Sequence, residues 1–245
     1  MRERLANRLR INSLVYSIEN DSPSQVTVKV FDPGERRSTQ IVADHVIFAA
    51  PTRTSKFVLA AAAHRPVLDE FQYAPWMVAN LTLHELPDER KGTALCWDNV
   101  IYDSEGLGYV VATHQSLRSH FDGTVFTYYL PLAGSSPEHE RARLLRTPWS
   151  AWTQSILRDL ARPHPAIREL VSRVDVFRWG HAMVRPRPGF LWGEARRQAA
   201  LPIGNVHFAN SDLSGFSLFE EAQYRGVYAA ERVLEALRVP FTSSI

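Results

Sequence analysis

The feature of this sequence best suited to chemistry is an acidic residue between a short apolar segment and the last helix. Residues 204–212 read Gly-Asn-Val-His-Phe-Ala-Asn-Ser-Asp, so Asp212 ends a predicted strand. A Gly/Ser turn follows, and Ser217 and Glu220 then fit a capping box. A helix start presents unpaired backbone N–H groups and a positive dipole end. The pattern predicts a place that can hold an electron-rich group; Asp212 as an ordinary turn residue is the alternative interpretation.

The terminal helix that would carry this site is defined by its apolar spacing. One helical face consists of Ala222, Gly226, Ala229, Val233 and Leu237, and Pro240 lies just beyond the predicted end. This is the best-defined element that the sequence predicts.

The N-terminal part of the chain predicts paired strands. Val26, Val28 and Val30 alternate with polar residues, and Asp32-Pro33-Gly34 supplies turn chemistry. A second apolar run extends from Ile41 to Ala50, and we expect it to pair with the first strand.

The middle of the chain predicts an antiparallel sheet followed by helices. Strands are expected at Trp76–Leu83, Gly108–Thr113, Thr124–Leu132 and Val174–Trp179. Helical spacing joins Trp149, Trp152, Ile156 and Leu160, and a shorter helix is expected around Ile167, Leu170 and Val171. The fold class is therefore mixed α/β. We expect residues 1–70 and 180–245 to form one discontinuous cofactor-type domain, and residues 71–179 to form an inserted antiparallel substrate-type domain.

The segment around Asp212 resembles the C-terminal FAD signature of the flavin amine-oxidase and phytoene-desaturase superfamily. The resemblance implies a partial Rossmann-like FAD-binding domain, in which Asp212 accepts hydrogen bonds from the flavin ribityl hydroxyls. It further implies that the helix start at Leu218, Phe219 and Ala222 lies under the flavin, where the backbone N–H groups meet its pyrimidine edge.

Two other segments resemble the same superfamily. The strand holding Val15, and the Ala50-Pro51 turn after a Val-Ile strand, match positions that the family places near the adenine and the cofactor. The segment 178–189 resembles the tryptophan-bearing stretch that precedes the final FAD motif. Trp179 would then lie close to the flavin, or else fill a hydrophobic core.

Three departures from the family pattern limit the assignment. The sequence contains no G-x-G-x-x-G phosphate-binding turn, because Gly106-x-Gly108 precedes a strand and valines follow it. Glu221 stands where small residues are common, and no lysine falls where amine oxidases place one near the flavin. No catalytic acid or base can be named.

Composition excludes several other classes. Twenty-eight basic and 26 acidic residues give a formal charge of +2, which argues against a nucleic-acid partner. One cysteine and scattered histidines without ligand spacing argue against a metal site. No apolar stretch reaches the roughly 20 residues that a transmembrane helix needs, and the N-terminus lacks a secretory apolar region. We expect a cytoplasmic protein.

The sequence therefore predicts an FAD-dependent oxidoreductase that oxidises a C–N or C–C bond by hydride transfer to flavin. Its substrate would be a small molecule, apolar or amine-bearing. The alternative is a non-catalytic binding or assembly half, or a truncated fragment, which needs a partner chain to supply the missing dinucleotide-binding segment.

Overall fold

The computed structural model describes residues 8–63, 65–89, 92, 94–118, 120–134 and 136–245. Its ten strands in this described part are β1 (Leu14–Ser22), β2 (Gln25–Asp32), β3 (Arg37–Ala43), β4 (Val46–Phe48), β5 (Tyr73–Leu83), β6 (Asp98–Asn99), β7 (Gly108–Val111), β8 (Thr124–Pro131), β9 (Val171–Val184) and β10 (Val206–Phe208). The helices there are α1 (Thr52–Val58), α2 (Ala60–Ala63), α3 (Pro137–Arg146), α4 (Trp149–Leu160), α5 (Ile167–Leu170), α6 (Glu194–Ala199) and α7 (Phe219–Ala236). Single 3-10 turns cover Pro66–Glu70, Ala112–Gln115 and Ser211–Ser214. The predicted mixed α/β class is confirmed.

The chain divides into two compact units. The first contains Met1–Gln72 together with Val184–Ile245, and the second contains Tyr73–Met183. The first unit is thus built from both ends of the described chain. A hydrogen bond from the Arg185 N–H to the Gln72 carbonyl (2.8 Å) joins these ends inside the first unit.

The first unit contains an antiparallel three-stranded sheet and a short parallel pair. β1, β2 and β3 form the antiparallel sheet in that order, because the Asp32-Pro33-Gly34 turn reverses the chain between β2 and β3. β4 pairs in parallel with β10, with Val46 opposite Val206 and Phe48 opposite Phe208. The predicted second strand, Ile41 to Ala50, is wrong as one element. It breaks at Asp44-His45 into β3, which pairs with β2, and β4, which pairs with β10.

The second unit is a five-stranded sheet covered on one face by helices, with the strand order β6-β7-β8-β5-β9. Burial alternates strictly along β5 and β8, as expected for strands with one core face. Met77, Leu81 and Phe126 point into the core with Trp152 and Ile156 of α4. The predicted helix at Trp149–Leu160 matches α4, and its residues 152, 156 and 160 are buried.

No helix within the described residues is both long enough and apolar enough to cross a lipid bilayer.

Candidate functional site

The carboxylate of Asp212 links the two chain ends of the first unit. β10 runs through Asn210 into the Ser211–Ser214 turn, which leaves Asp212 only 7% exposed. Its Oδ2 accepts a hydrogen bond from the backbone N–H of Thr52 (2.9 Å), the first residue of α1. Thr52 itself is 2% exposed. A hydrogen bond to an ionised acceptor is among the stronger ones, so this buried contact fixes the β10 turn to the start of α1.

The side chain of Asn210 lies beside this contact and is only half satisfied. It is 7% exposed, and its Oδ1 accepts a hydrogen bond from Thr52 Oγ1 (2.9 Å). Its Nδ2 is buried and has no hydrogen-bond partner within the described part of the chain. An unpaired buried polar group costs roughly 1–3 kcal/mol. Asn210 is therefore a polar group at the site that the chain's described residues do not fully satisfy.

The turn after Asp212 is held tightly by backbone geometry and two arginines. Gly215 adopts φ +81°, and its N–H donates to the Asp212 carbonyl (2.9 Å). Arg196 and Arg225 both donate to the Leu213 carbonyl, at 2.7 and 3.0 Å. Burial, together with the neighbouring guanidiniums, lowers the pKa of Arg196. Two guanidiniums thus hold the carbonyl of the residue next to Asp212, which fixes the turn from both the α6 and the α7 side.

The terminal helix begins one residue later than its sequence pattern indicates. Leu218 is the N-cap, and the first helical hydrogen bond runs from the Ala222 N–H to the Leu218 carbonyl (3.1 Å). No described side chain caps this helix. The predicted capping box is wrong because Ser217 Oγ instead accepts a hydrogen bond from the Val184 N–H (3.3 Å). Phe219, at the helix start, is 78% exposed.

A cavity of about 350 Å³ lies between the three-stranded sheet and the β4–α1 junction. Its lining is almost wholly apolar and includes Val15 of β1, Val28 of β2, Phe48 of β4 and Ala50. Pro51, which follows Ala50, is the N-cap residue of α1. The cavity therefore lies beside the first turn of α1, whose Thr54 also lines it, and next in sequence to the Thr52 that Asp212 holds.

The structure thus brings the candidate residues together in two groups. Val15, Ala50 and Pro51 belong to the cavity and its rim, while Asp212, Leu218, Phe219 and Ala222 belong to the turn and the start of α7. The bond between Thr52 and Asp212 connects the groups. Trp179 lies on β9 in the second unit and is 55% exposed, so it does not fill that unit's core.

Sequence reasoning missed Thr52, Asn210 and Arg225. Both Thr52 and Asn210 stood inside the matching segments, directly beside residues given a role. Polar residues at the ends of two short apolar strands were the available signal. Within the described residues, no group of three or more His, Cys, Asp or Glu side chains could hold a metal ion.

Comparison with known proteins identifies the family. The model of flavin-containing amine oxidoreductases matches residues 1–234. Among solved structures, cyclohexylamine oxidase from Brevibacterium oxydans IH-35A is similar, with 16% identity, a TM-score of 0.66 and coverage of 92% of this chain and 48% of that one. A protein assigned as a protoporphyrinogen oxidase, from Exiguobacterium sp. 255-15, has 14% identity, a TM-score of 0.60 and coverage of 97% and 50%.

The chain spans about half the length of these two solved structures. No match was found among curated proteins. The family match covers nearly the whole sequence, including both segments that meet at Thr52 and Asp212. This chain therefore belongs to the family of flavin-containing amine oxidoreductases.

Proposed function

We propose that this chain forms part of an FAD-dependent oxidoreductase that oxidises a C–N or C–C bond of a small molecule. The observation that carries the proposal is the buried hydrogen bond from the Thr52 N–H to Asp212. It joins the Ala50-Pro51 segment to the Asp212 segment within one unit, and both segments resemble FAD-binding parts of the family. The contact joins the turn to the start of α1 through a buried carboxylate, and a binding site needs rigid support of this kind.

The residues present fit an FAD molecule. Asp212 would accept hydrogen bonds from ribityl hydroxyls, and Asn210 retains a buried amide atom that a ligand can pair. The uncapped first turn of α7, at Leu218 and Phe219, would offer backbone N–H groups to the electron-rich edge of the ring. Val15 would contact the adenine from the apolar cavity, and the Ala50-Pro51 turn would lie near the cofactor beside it.

A bound FAD would accept a hydride from the substrate. The substrate would also lose one proton and so gain a C=N or C=C bond. Arg196 and Arg225 hold the turn after Asp212 through the Leu213 carbonyl, and the apolar lining at Val15 and Ala50 would shield a bound cofactor from water. Trp179 is proposed as a further cofactor contact.

An uncharged sheet face in the second unit supports an apolar substrate. The side chains of β5 that alternate with its core residues include Trp76, Val78 and Asn80, all half-buried. Across the strand pair, Tyr129 stands opposite Val78 and Thr127 opposite Asn80. No side chain on this face of β5 or β8 carries a charge. A neutral face of this kind suits an apolar molecule, or the uncharged form of an amine.

The second candidate function is an assembly half that requires a partner chain. It is favoured by the β4–β10 pair, because within the described residues this parallel sheet has only two strands. Parallel sheets are normally larger and covered on both faces. A chain or segment bearing a G-x-G-x-x-G turn would extend this sheet and supply phosphate-binding backbone.

The test is FAD uptake by the purified chain, measured by absorbance in the flavin bands, with and without a co-expressed polypeptide carrying G-x-G-x-x-G. We expect flavin to co-purify with the complemented protein, and substrate amines or hydrocarbons to bleach it under anaerobic conditions. A stable complex that never takes up flavin would favour the assembly role instead. Absence of flavin and of any complex would refute both.

A further inference from the structure

The buried amide of Asn210 points to a cofactor contact that no family resemblance assigns. Resting on the proposed function, we propose that Asn210 is an FAD-binding residue whose amide pairs with a hydroxyl of the bound dinucleotide. Asn210 lies two residues before Asp212, and both side chains bond to Thr52. The proposed contact is therefore at the point where the two ends of the chain meet.

The amide of Asn210 has more hydrogen-bonding capacity than its described neighbours use. An asparagine side chain offers two donors on Nδ2 and an acceptor on Oδ1. Thr52 Oγ1 uses Oδ1, while Nδ2 is buried without a partner in the described part of the chain. If the amide is rotated so that Oδ1 and Nδ2 exchange places, Nδ2 donates to Thr52 Oγ1 and Oδ1 is then the buried atom without a partner. In either orientation one buried amide atom remains to be paired.

A hydroxyl suits both orientations, since it can donate and accept. The backbone before Asn210 is held by the Ala209 N–H, which donates to the Phe48 carbonyl (3.0 Å). The side chain itself is held by its burial and by the hydrogen bond from Thr52 Oγ1, which would have to break before the amide could reach solvent. A buried water molecule is the competing explanation, and the experiment below separates it from the cofactor.

The proposal predicts opposite effects on stability and on binding. If Asn210 serves only to stabilise the fold, truncating its side chain should lower the melting temperature of the protein. If Asn210 serves a ligand, truncating it should change the stability of the flavin-free protein little. Truncation removes the acceptor of Thr52 Oγ1, but it also removes the unpaired amide atom, and these two effects oppose each other. The cost should appear only in FAD affinity.

The experiment compares Asn210→Ala with Asn205→Ala in the full chain, complemented as above. Asn205 is a matched control because its Nδ2 is already paired with the Pro23 carbonyl (3.2 Å) in the same unit. Melting temperature is measured without flavin, and FAD affinity by quenching of flavin fluorescence. For Asn210→Ala we expect a melting temperature within about 2 °C of wild type and a Kd about tenfold higher. For Asn205→Ala we expect a lower melting temperature and an unchanged Kd.

Each outcome decides the assignment. An Asn210→Ala protein that binds FAD as tightly as wild type refutes it, and indicates a structural water. A fall in melting temperature like that of the control, with unchanged Kd, refutes it as well. Asn210→Ser, which keeps a hydroxyl near Thr52, gives the same comparison if the alanine variant fails to fold. Wild-type protein that takes up no FAD refutes the proposed function itself, and the Asn210 assignment with it.

Discussion

Replacing Asp212 with alanine should destabilise the first unit even when no flavin is present. The change removes a buried, charged acceptor and leaves the Thr52 N–H unpaired at a position only 2% exposed. Hydrogen bonds to charged groups contribute about 1.5–3 kcal/mol, and the unpaired donor is part of that loss. For a chain of this size, each kcal/mol shifts the melting temperature by roughly 2–4 °C. We therefore expect a fall of roughly 3–12 °C.

The assay combines thermal melting with hydrogen exchange at the Thr52 amide. Asp212→Asn keeps an acceptor oxygen and loses the charge, so we expect it to lose about half as much stability as the alanine variant. Asp44→Ala is the matched control, since Asp44 is an exposed aspartate in the same unit. We expect it to change the free energy of unfolding by less than about 0.5 kcal/mol. If Asp212→Ala melts within 1 °C of the control, or if Thr52 exchanges at an unchanged rate, the contact does not hold the unit together.

Three further outcomes are expected. Gly215→Ala should cost about 1–3 kcal/mol in urea unfolding, because φ is +81° and a Cβ would lie 2.5 Å from Leu191 Cδ2; an unchanged midpoint would show that the turn relaxes. Burial and the neighbouring His45 lower the pKa of His207, so that near and below pH 6.5 the unfolded chain binds more protons than the folded chain. The free energy of unfolding should therefore decrease as the pH falls through this range, and urea unfolding at several pH values should show a smaller decrease for His207→Gln. Burial raises the pKa of Tyr109 to about 12, so stability should be lost as pH rises from about 10 towards that value; Tyr109→Phe melting curves should lack this loss.

Long, periodic elements could be predicted from the sequence because their signal is local. Four apolar positions at helical spacing were enough to place α4, and β-branched or aromatic alternation placed β5 and β8 to within a few residues. The resemblance to flavin amine oxidases is confirmed by the family match. The site roles of Val15, Ala50, Pro51, Trp179, Asp212, Leu218, Phe219 and Ala222 stay predictions.

Pairings between distant segments could not be read from local pattern. β4 and β10 have three residues each, too short for a period, so the break at Asp44-His45 was not visible. The sequence also carries no sign that Ser217 would bond to Val184 instead of capping its own helix. The half-satisfied amide of Asn210 exists only because Thr52 arrives from 158 residues away. Such features are properties of the assembled unit.

The closure of the first unit by both chain ends has a consequence for synthesis on the ribosome. Thr52 leaves the ribosome before Asp212, which holds it and follows 160 residues later. At about 5–20 residues per second, this is a wait of roughly 8–32 s. The second unit, Tyr73–Met183, is continuous and can fold during that interval. The apolar faces of β1 and β4 would thus stay exposed on the nascent chain until Asp212 is synthesised. We expect chaperones that recognise extended apolar segments to bind the nascent chain at β1 and β4.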